Sequence, residues 1–187
     1  MKVLIISGGH LGDVEYIKKN SLDWDFVICA DGGARHLEKL GIIPDLLVGD
    51  FDSIPTQLLQ KYKNMGIAIK TYPKEKDWTD THIAVDIAIE KGAKCVYIIG
   101  ALGSRWDHSF ANIMLLYRLE SRGIKAKILH SHNTIMMSND ILEIEGHVGQ
   151  IVSLIPFSQD VLVEYTQGLA YPLYNGTLTL DFPLGIS

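Results

Sequence analysis

The stretch Phe26-Val27-Ile28-Cys29-Ala30-Asp31-Gly32-Gly33-Ala34-Arg35-His36-Leu37-Glu38-Lys39-Leu40-Gly41 decides the architecture of this chain. Its apolar opening reads as a buried strand. Asp31-Gly32-Gly33 breaks that strand, and residues 34–40 read as a helix that stops at Gly41. Glycine after a helix and a short apolar run before one are the expected punctuation of a strand-to-helix crossover. The same pattern recurs on both sides. Strands at residues 2–7, 45–48, 68–72, 94–99 and 125–130 alternate with helices at 55–65, 79–91 and 109–121. Such alternation implies an α/β fold, a mainly parallel Rossmann-like sheet with helices on both faces. Ligands of such sheets bind beyond the carboxyl ends of the strands.

The pattern changes after about residue 133. Residues 134–138, 141–145, 150–155, 161–165 and 177–182 read as short strands, and Asn175-Gly176 is a two-residue hairpin signal. No helix-length segment follows. The chain therefore reads as an α/β domain over 1–132 and a small antiparallel β-sandwich domain over 133–187.

Composition narrows the function classes. The 187 residues carry 47% hydrophobic and 21% charged side chains, as in ordinary soluble domains. The net charge is −5, with no basic stretch, which argues against a nucleic-acid partner. No apolar run has the length of a membrane span, and none reads as a signal peptide, so a cytoplasmic location is expected. The two cysteines, Cys29 and Cys95, sit in apolar runs and read as small buried hydrophobes.

Polar clusters fall where the carboxyl edge of the sheet is expected. Asp31-Gly32-Gly33 lets backbone N–H groups approach an anion, or is simply a tight turn. Gly49-Asp50-Phe51-Asp52-Ser53 ends the third strand. In an extended strand, positions i and i+2 share a face, so Asp50 and Asp52 should aim the same way. Like charges so placed repel unless a cation or a proton lies between them. A hard ion such as Mg²⁺ suits carboxylate oxygens and often accompanies a polyphosphate. The alternative is a solvated Asp-rich turn.

A third cluster is Lys76-Asp77-Trp78-Thr79-Asp80. Here Asp77 reads as a helix cap, Asp80 as a completion of the acidic site, and Lys76 as a phosphate contact. A fourth is Gly103-Ser104-Arg105-Trp106-Asp107-His108. Arg105 suits bidentate contact to phosphate, while Asp107 and His108 either cap the next helix or bind substrate. The glycine spacing matches neither the dinucleotide fingerprint nor the common nucleotide loop. His130-Ser131-His132 lacks carboxylate neighbours and reads as structural. His10, His36 and His147 read as loop or surface groups.

Taken in order, these segments resemble thiamine pyrophosphokinases. The resemblance rests on Ala30-Asp31-Gly32-Gly33-Ala34, Pro44-Asp45 leading to Gly49-Asp50-Phe51-Asp52-Ser53, Lys76-Asp77-Trp78-Thr79-Asp80 and Gly103-Ser104-Arg105-Trp106-Asp107-His108. Gln167-Gly168-Leu169-Ala170-Tyr171-Pro172-Leu173 and Leu184-Gly185-Ile186-Ser187 add to it. The resemblance implies transfer of the diphosphoryl group of ATP to thiamine, giving thiamine diphosphate and AMP. It also implies a homodimer with thiamine held at the shared interface. It ties Asp50, Asp52 and Asp80 to Mg²⁺ and catalysis, puts Asp77 and Thr79 in the same motif, and puts Arg105, Asp107 and His108 on the nucleotide side. Ser187 falls where the family contacts thiamine. Family chains commonly continue past this Gly-Ile-Ser segment, whereas the present sequence stops there, so an exposed sheet edge is expected. The rivals are pyrophosphorylation of another hydroxymethyl heterocycle, such as a pterin, and a non-catalytic sensor.

Overall fold

The computed structural model describes residues 1–20, 23–182 and 184–186. The chain divides into two compact units, Met1–Leu142 and Glu143–Ser187. The first unit holds a seven-stranded sheet. Its strands are Lys2–Ile6 (β1), Phe26–Ala30 (β2), Leu46–Gly49 (β3), Ala68–Thr71 (β4), Cys95–Ile99 (β5), Lys125–His130 (β6) and Asn133–Met136 (β7). Their order is β4-β3-β2-β1-β5-β6-β7. All neighbours are parallel except β6 and β7. The helices are Val14–Asn20 (α1), Ala34–Leu40 (α2), Thr56–Asn64 (α3), Asp80–Glu90 (α4) and Trp106–Glu120 (α5).

Side-chain alternation along the strands assigns the two faces. Val3 and Ile5 of β1 and Ile28 of β2 pack with Ile83, Ala84 and Ile87 of α4 and with Leu116 and Leu119 of α5. Leu4, Ile6, Val27 and Leu47 point the other way, onto Ile17 of α1, Leu37 and Leu40 of α2, and Tyr62 of α3. Strands buried on both faces need apolar residues at successive positions, which is why β1 reads Val-Leu-Ile-Ile. Burying each Leu or Ile contributes about 1.5–3 kcal/mol. Cys29 is buried and Cys95 half-buried, and both are free thiols.

One close approach fixes the β2 crossover. Residues Asp31–Gly33 form a single 3-10 turn tucked beneath β1. A Cβ on Gly33 would lie 2.2 Å from the Ile6 carbonyl oxygen, so only glycine fits without a shift. This packing sets Asp31 at the sheet's carboxyl edge.

The α/β reading holds, and several local expectations change. Helix α1 was not expected; of its seven residues only Ile17 is buried, so it carries almost no periodic apolar signal. Helix α5 begins at Trp106, ahead of the expected 109. The segment expected to open the second domain instead forms β7, paired antiparallel to β6 through a turn at Ser131-His132. The compact unit accordingly runs to Leu142, beyond the boundary expected at 132.

The second unit contains a two-stranded antiparallel sheet, Val161–Tyr165 (β8) and Tyr174–Leu178 (β9). Residues 141–145 and 150–155 form no strand. Asn175-Gly176 lies inside β9 rather than at a hairpin tip. Asn175 alone of the pair has positive φ, whereas the expected turn needs it at both positions. The reversal instead spans residues 166–173, closed by Thr166 N donating to Leu173 O at 2.9 Å. Among the described residues, no helix is long and apolar enough to cross a membrane.

Candidate active site

Two neighbouring strand ends deliver three carboxylates to one place. Asp31 follows β2, and Asp50 and Asp52 follow β3. One ligand oxygen from each lies within 4.8 Å of the others. The expected sharing of a face by Asp50 and Asp52 is achieved differently from the expectation. The strand ends at Gly49, and Phe51 takes a left-handed φ of 62°. Its ring is buried in the core beside Ile54. That anchor turns the chain so that Asp52 N donates to Asp50 Oδ1 at 3.2 Å. Gly49 itself has φ 151°, and a Cβ there would meet the Asp31 Cβ at 2.7 Å. Glycine is thus what lets β3 pass close to Asp31.

Cationic and hydroxyl groups ring these acids. Ser53 Oγ donates to Asp31 Oδ2. Lys74 Nζ donates to Asp52 Oδ2, and this bond holds the Asp52 carboxyl below its ordinary pKa. Asp80 opens α4, with Lys76 Nζ at 2.8 Å from its Oδ1. That contact is an ion pair, and Asp80 Oδ1 is buried with no other polar partner. Burial pushes the pKa of Asp80 up, Lys76 pulls it down, and Asp31 and Asp50 push it up again; the net shift is upward. Asp31 Oδ1 is likewise buried without a partner. An orphaned carboxylate oxygen on Asp31, within a mutually repelling acidic group, suits a hard divalent cation. The residues present therefore fit such an ion.

Several expected site residues fall around this group. The close trio is Asp31, Asp50 and Asp52, and Asp80 stands next to it as an electrostatic neighbour. Gly32 and Gly33 form the turn behind Asp31. The cap of α4 is Thr79 rather than Asp77, because Thr79 has the extended backbone and its Oγ1 accepts from His82 N at 3.2 Å. Asp77 is exposed in the preceding loop. Across the sheet, Arg105 grips Asp107 with two hydrogen bonds of 2.5 and 3.3 Å, both side chains exposed. Asp107 and His108 lie within the first turn of α5 and do not cap it. Ser187 lies outside the described residues.

Sequence reading placed Asp31 among the nucleotide-binding residues but not in the acidic group that its carboxylate joins. The missed signal was that neighbouring parallel strands both end in aspartate. It also passed over Lys74, which an exposed charge pattern does not single out.

An acidic group paired with Lys74 and Lys76 at the carboxyl edge of a parallel sheet has the charge arrangement of a phosphoryl-transfer site. Residues 17–128 match the family described as thiamin pyrophosphokinase, catalytic domain. The chain is 35% identical to the thiamine pyrophosphokinase of Bacillus subtilis over 98% of its own length and 86% of that protein's. A crystal structure of thiamine pyrophosphokinase from Bacillus subtilis superposes with TM-score 0.86, covering all of this chain and 88% of the other, at 35% identity. One from Geobacillus thermodenitrificans gives 0.68 at 28% identity, covering 96% and 83%. The chain belongs to the thiamine pyrophosphokinase family.

Proposed function

We propose that this chain transfers the diphosphoryl group of ATP to the hydroxyl of thiamine, yielding thiamine diphosphate and AMP. One observation carries the reading. A chain similar to thiamine pyrophosphokinases along nearly its whole length gathers Asp31, Asp50 and Asp52 within 4.8 Å at the sheet edge.

Asp31, Asp50 and Asp52, with Asp80 beside them, would hold Mg²⁺. When bound, the ion neutralises and orients the phosphate oxygens of ATP. Lys74 and Lys76 add positive charge toward the transferred group. The Gly32-Gly33 turn lets backbone approach the phosphates. Arg105, released from Asp107, faces the charge that builds on departing AMP, with Asp107 and His108 on the nucleotide side. Asp77 and Thr79 shape the loop that delivers Asp80. The Asp80 carboxylate takes the hydroxyl proton as the thiamine oxygen bonds to the β-phosphorus. The bond from that phosphorus to the oxygen of AMP breaks, and AMP keeps the electron pair. Burial beside Asp31 and Asp50 raises the pKa of Asp80, which suits its carboxylate to accept that proton.

Thiamine is assigned to the second unit, Glu143–Ser187, with Ser187 as a contact, and ATP to the first unit, Met1–Leu142. A homodimer in the cytoplasm completes the reading. Its support is the exposed apolar surface of the second unit, including Ile151, Leu162, Tyr165 and Tyr171.

The test is AMP release from ATP and Mg²⁺ with thiamine, with a hydroxymethyl pterin, or with no acceptor. Thiamine alone should support it, and Asp52→Asn should abolish it while leaving the far-ultraviolet circular dichroism unchanged. Release driven by the pterin, or thiamine binding without AMP, would replace this reading with one of its rivals.

A further inference from the structure

Ser7, His36, Thr81, Ser109 and Asn112 are buried, and each bonds to structure at the carboxyl edge of the sheet. The sequence suggested that His36 was a surface group, but it is 6% exposed, and its Nε2–H donates to Gly9 O at 2.8 Å. Asn112 Nδ2 donates to Ala101 O at 2.7 Å, and Ser109 Oγ accepts from Gly103 N at 3.0 Å. These three brace the backbone of the loops that follow β1 and β5. Ser7 and Thr81 do something different. Their hydroxyl oxygens lie 2.9 Å apart, so side chains alone bond one element to another, and either hydroxyl can donate.

Ser7 follows β1, and Thr81 lies in the first turn of α4, directly after Asp80. Both are covered, at 2% and 8% exposed. Ser7 is itself held on two sides. Its N donates to Ile99 O at 2.9 Å, at the end of β5. Its neighbour Gly8 lies against the Asp31 turn, where an added Cβ would be 3.1 Å from Gly32 Cα. The hydroxyl bond therefore joins the start of α4, which carries Asp80, to the strand end that packs on the turn carrying Asp31. The rest of the α4 interface is apolar, with Ile83, Ala84, Ile87 and Ala88 against the sheet. Apolar burial is non-directional, whereas a buried hydrogen bond is satisfied in one register only.

We propose that Ser7 and Thr81 are a positioning pair for the transfer reaction. Their bond fixes α4 along β1 and so sets the Asp80 carboxylate at its distance from Asp31, Asp50 and Asp52. Neither hydroxyl is a catalytic group, since each is buried and engaged with the other. The inference rests on the reading of Asp80 given above, as the group that takes the hydroxyl proton. A misplacement of about 1 Å at such a group costs roughly 100-fold in rate. An apolar pair of the same shape would fill the same space and leave α4 without that lock.

The experiment compares Ser7→Ala, Thr81→Val, the double variant and Thr81→Ser with the wild type, as full chains with thiamine, ATP and Mg²⁺. Each of the first two strands one buried hydroxyl and should lower the melting temperature by roughly 2–10 °C. The double variant strands none, so its melting temperature should return toward the wild type. A merely structural role predicts that its kcat returns as well. Positioning predicts that its kcat stays roughly tenfold or more below the wild type, with KM for ATP little changed. Thr81→Ser keeps the hydroxyl and should keep kcat. In an Asp80→Asn background the loss caused by Ser7→Ala should largely vanish, because the pair acts through Asp80. A second readout needs no turnover. Amide exchange at His82 and Ile83 should quicken in Ser7→Ala relative to the last turn of α4. A wild type that releases no AMP with thiamine defeats the proposed reaction, while the exchange rates still decide whether the pair holds α4. The proposal is overturned if the double variant turns over as the wild type does, if the Ser7→Ala loss persists in full beside Asp80→Asn, or if exchange in the first turn is unchanged.

Discussion

Lys76 Nζ stands 2.8 Å from Asp80 Oδ1, both side chains largely covered, and this pair spans the loop that leads into α4. Lys76 is the group that opposes the upward push of burial, Asp31 and Asp50 on the Asp80 carboxyl. Replacing it with Met should drive that carboxyl higher still. If Asp80 must be ionised to accept a proton, the acid limb of kcat/KM against pH should move to higher pH in Lys76→Met. An acid limb that stays in place would separate Asp80 from the proton transfer.

The same raised pKa has a consequence for stability. A carboxyl whose folded pKa exceeds its unfolded value contributes stability that is present below the unfolded pKa and lost as pH rises through the folded one. At neutral pH the metal-free protein therefore bears the cost of an ionised Asp80 beside Asp31 and Asp50. Asp80→Asn should melt at or above the wild type at pH 7 without divalent ions, and lose that advantage below about pH 3.5. Its turnover should fall roughly 100-fold or more. Thermal melts across pH check the sign, and a variant less stable at pH 7 but not in acid would reverse it.

Much of this arrangement was legible in the chain itself, for physical reasons. Strands buried on both faces need unbroken apolar runs, so β1, β2 and β5 stand out, and glycine stops such as Gly41 mark the helix ends. The acidic loops were visible because aspartates at strand ends are both charged and periodic. What escaped depended on tertiary contact. Helix α1 contributes a single buried side chain, Ile17. Strand β7 gains its place by pairing with β6, which local sequence does not encode. Asp50 and Asp52 meet through a kink at Phe51 that burial of its ring imposes, where an extended strand was expected. Asp31 joins them because β2 lies beside β3 and Gly49 lacks a side chain.

The turn beneath β1 offers a stability test. An added Cβ at Gly33 would meet backbone atoms of Ile6 at 2.2 and 2.8 Å, with no flexible side chain to give way. Gly33→Ala should cost about 1–3 kcal/mol or more and lower the melting temperature by roughly 3–10 °C. Gly103→Ala, whose nearest contact would be 3.7 Å away, should melt close to the wild type. Equal melting of the two variants would show that the β2 crossover yields more readily than its geometry implies.

A ligand that binds only the folded state raises its melting temperature by mass action. Mg²⁺ should therefore stabilise the wild type, with a shift that grows with concentration. Asp31→Asn should blunt that shift as strongly as Asp52→Asn does, since both supply oxygens to one group. Retention of the full shift in Asp31→Asn would return this residue to the plain turn-forming role its sequence suggested.

The most direct measurement follows both transferred phosphorus atoms. The purified chain is given thiamine, Mg²⁺ and ATP labelled differently at the β and γ positions, and the products are separated and counted. Diphosphoryl transfer predicts thiamine diphosphate carrying both labels in equal amount, with one AMP per product and no reaction in Asp52→Asn. Product carrying only the γ label, formed with ADP, would mean successive single transfers and would contradict the account.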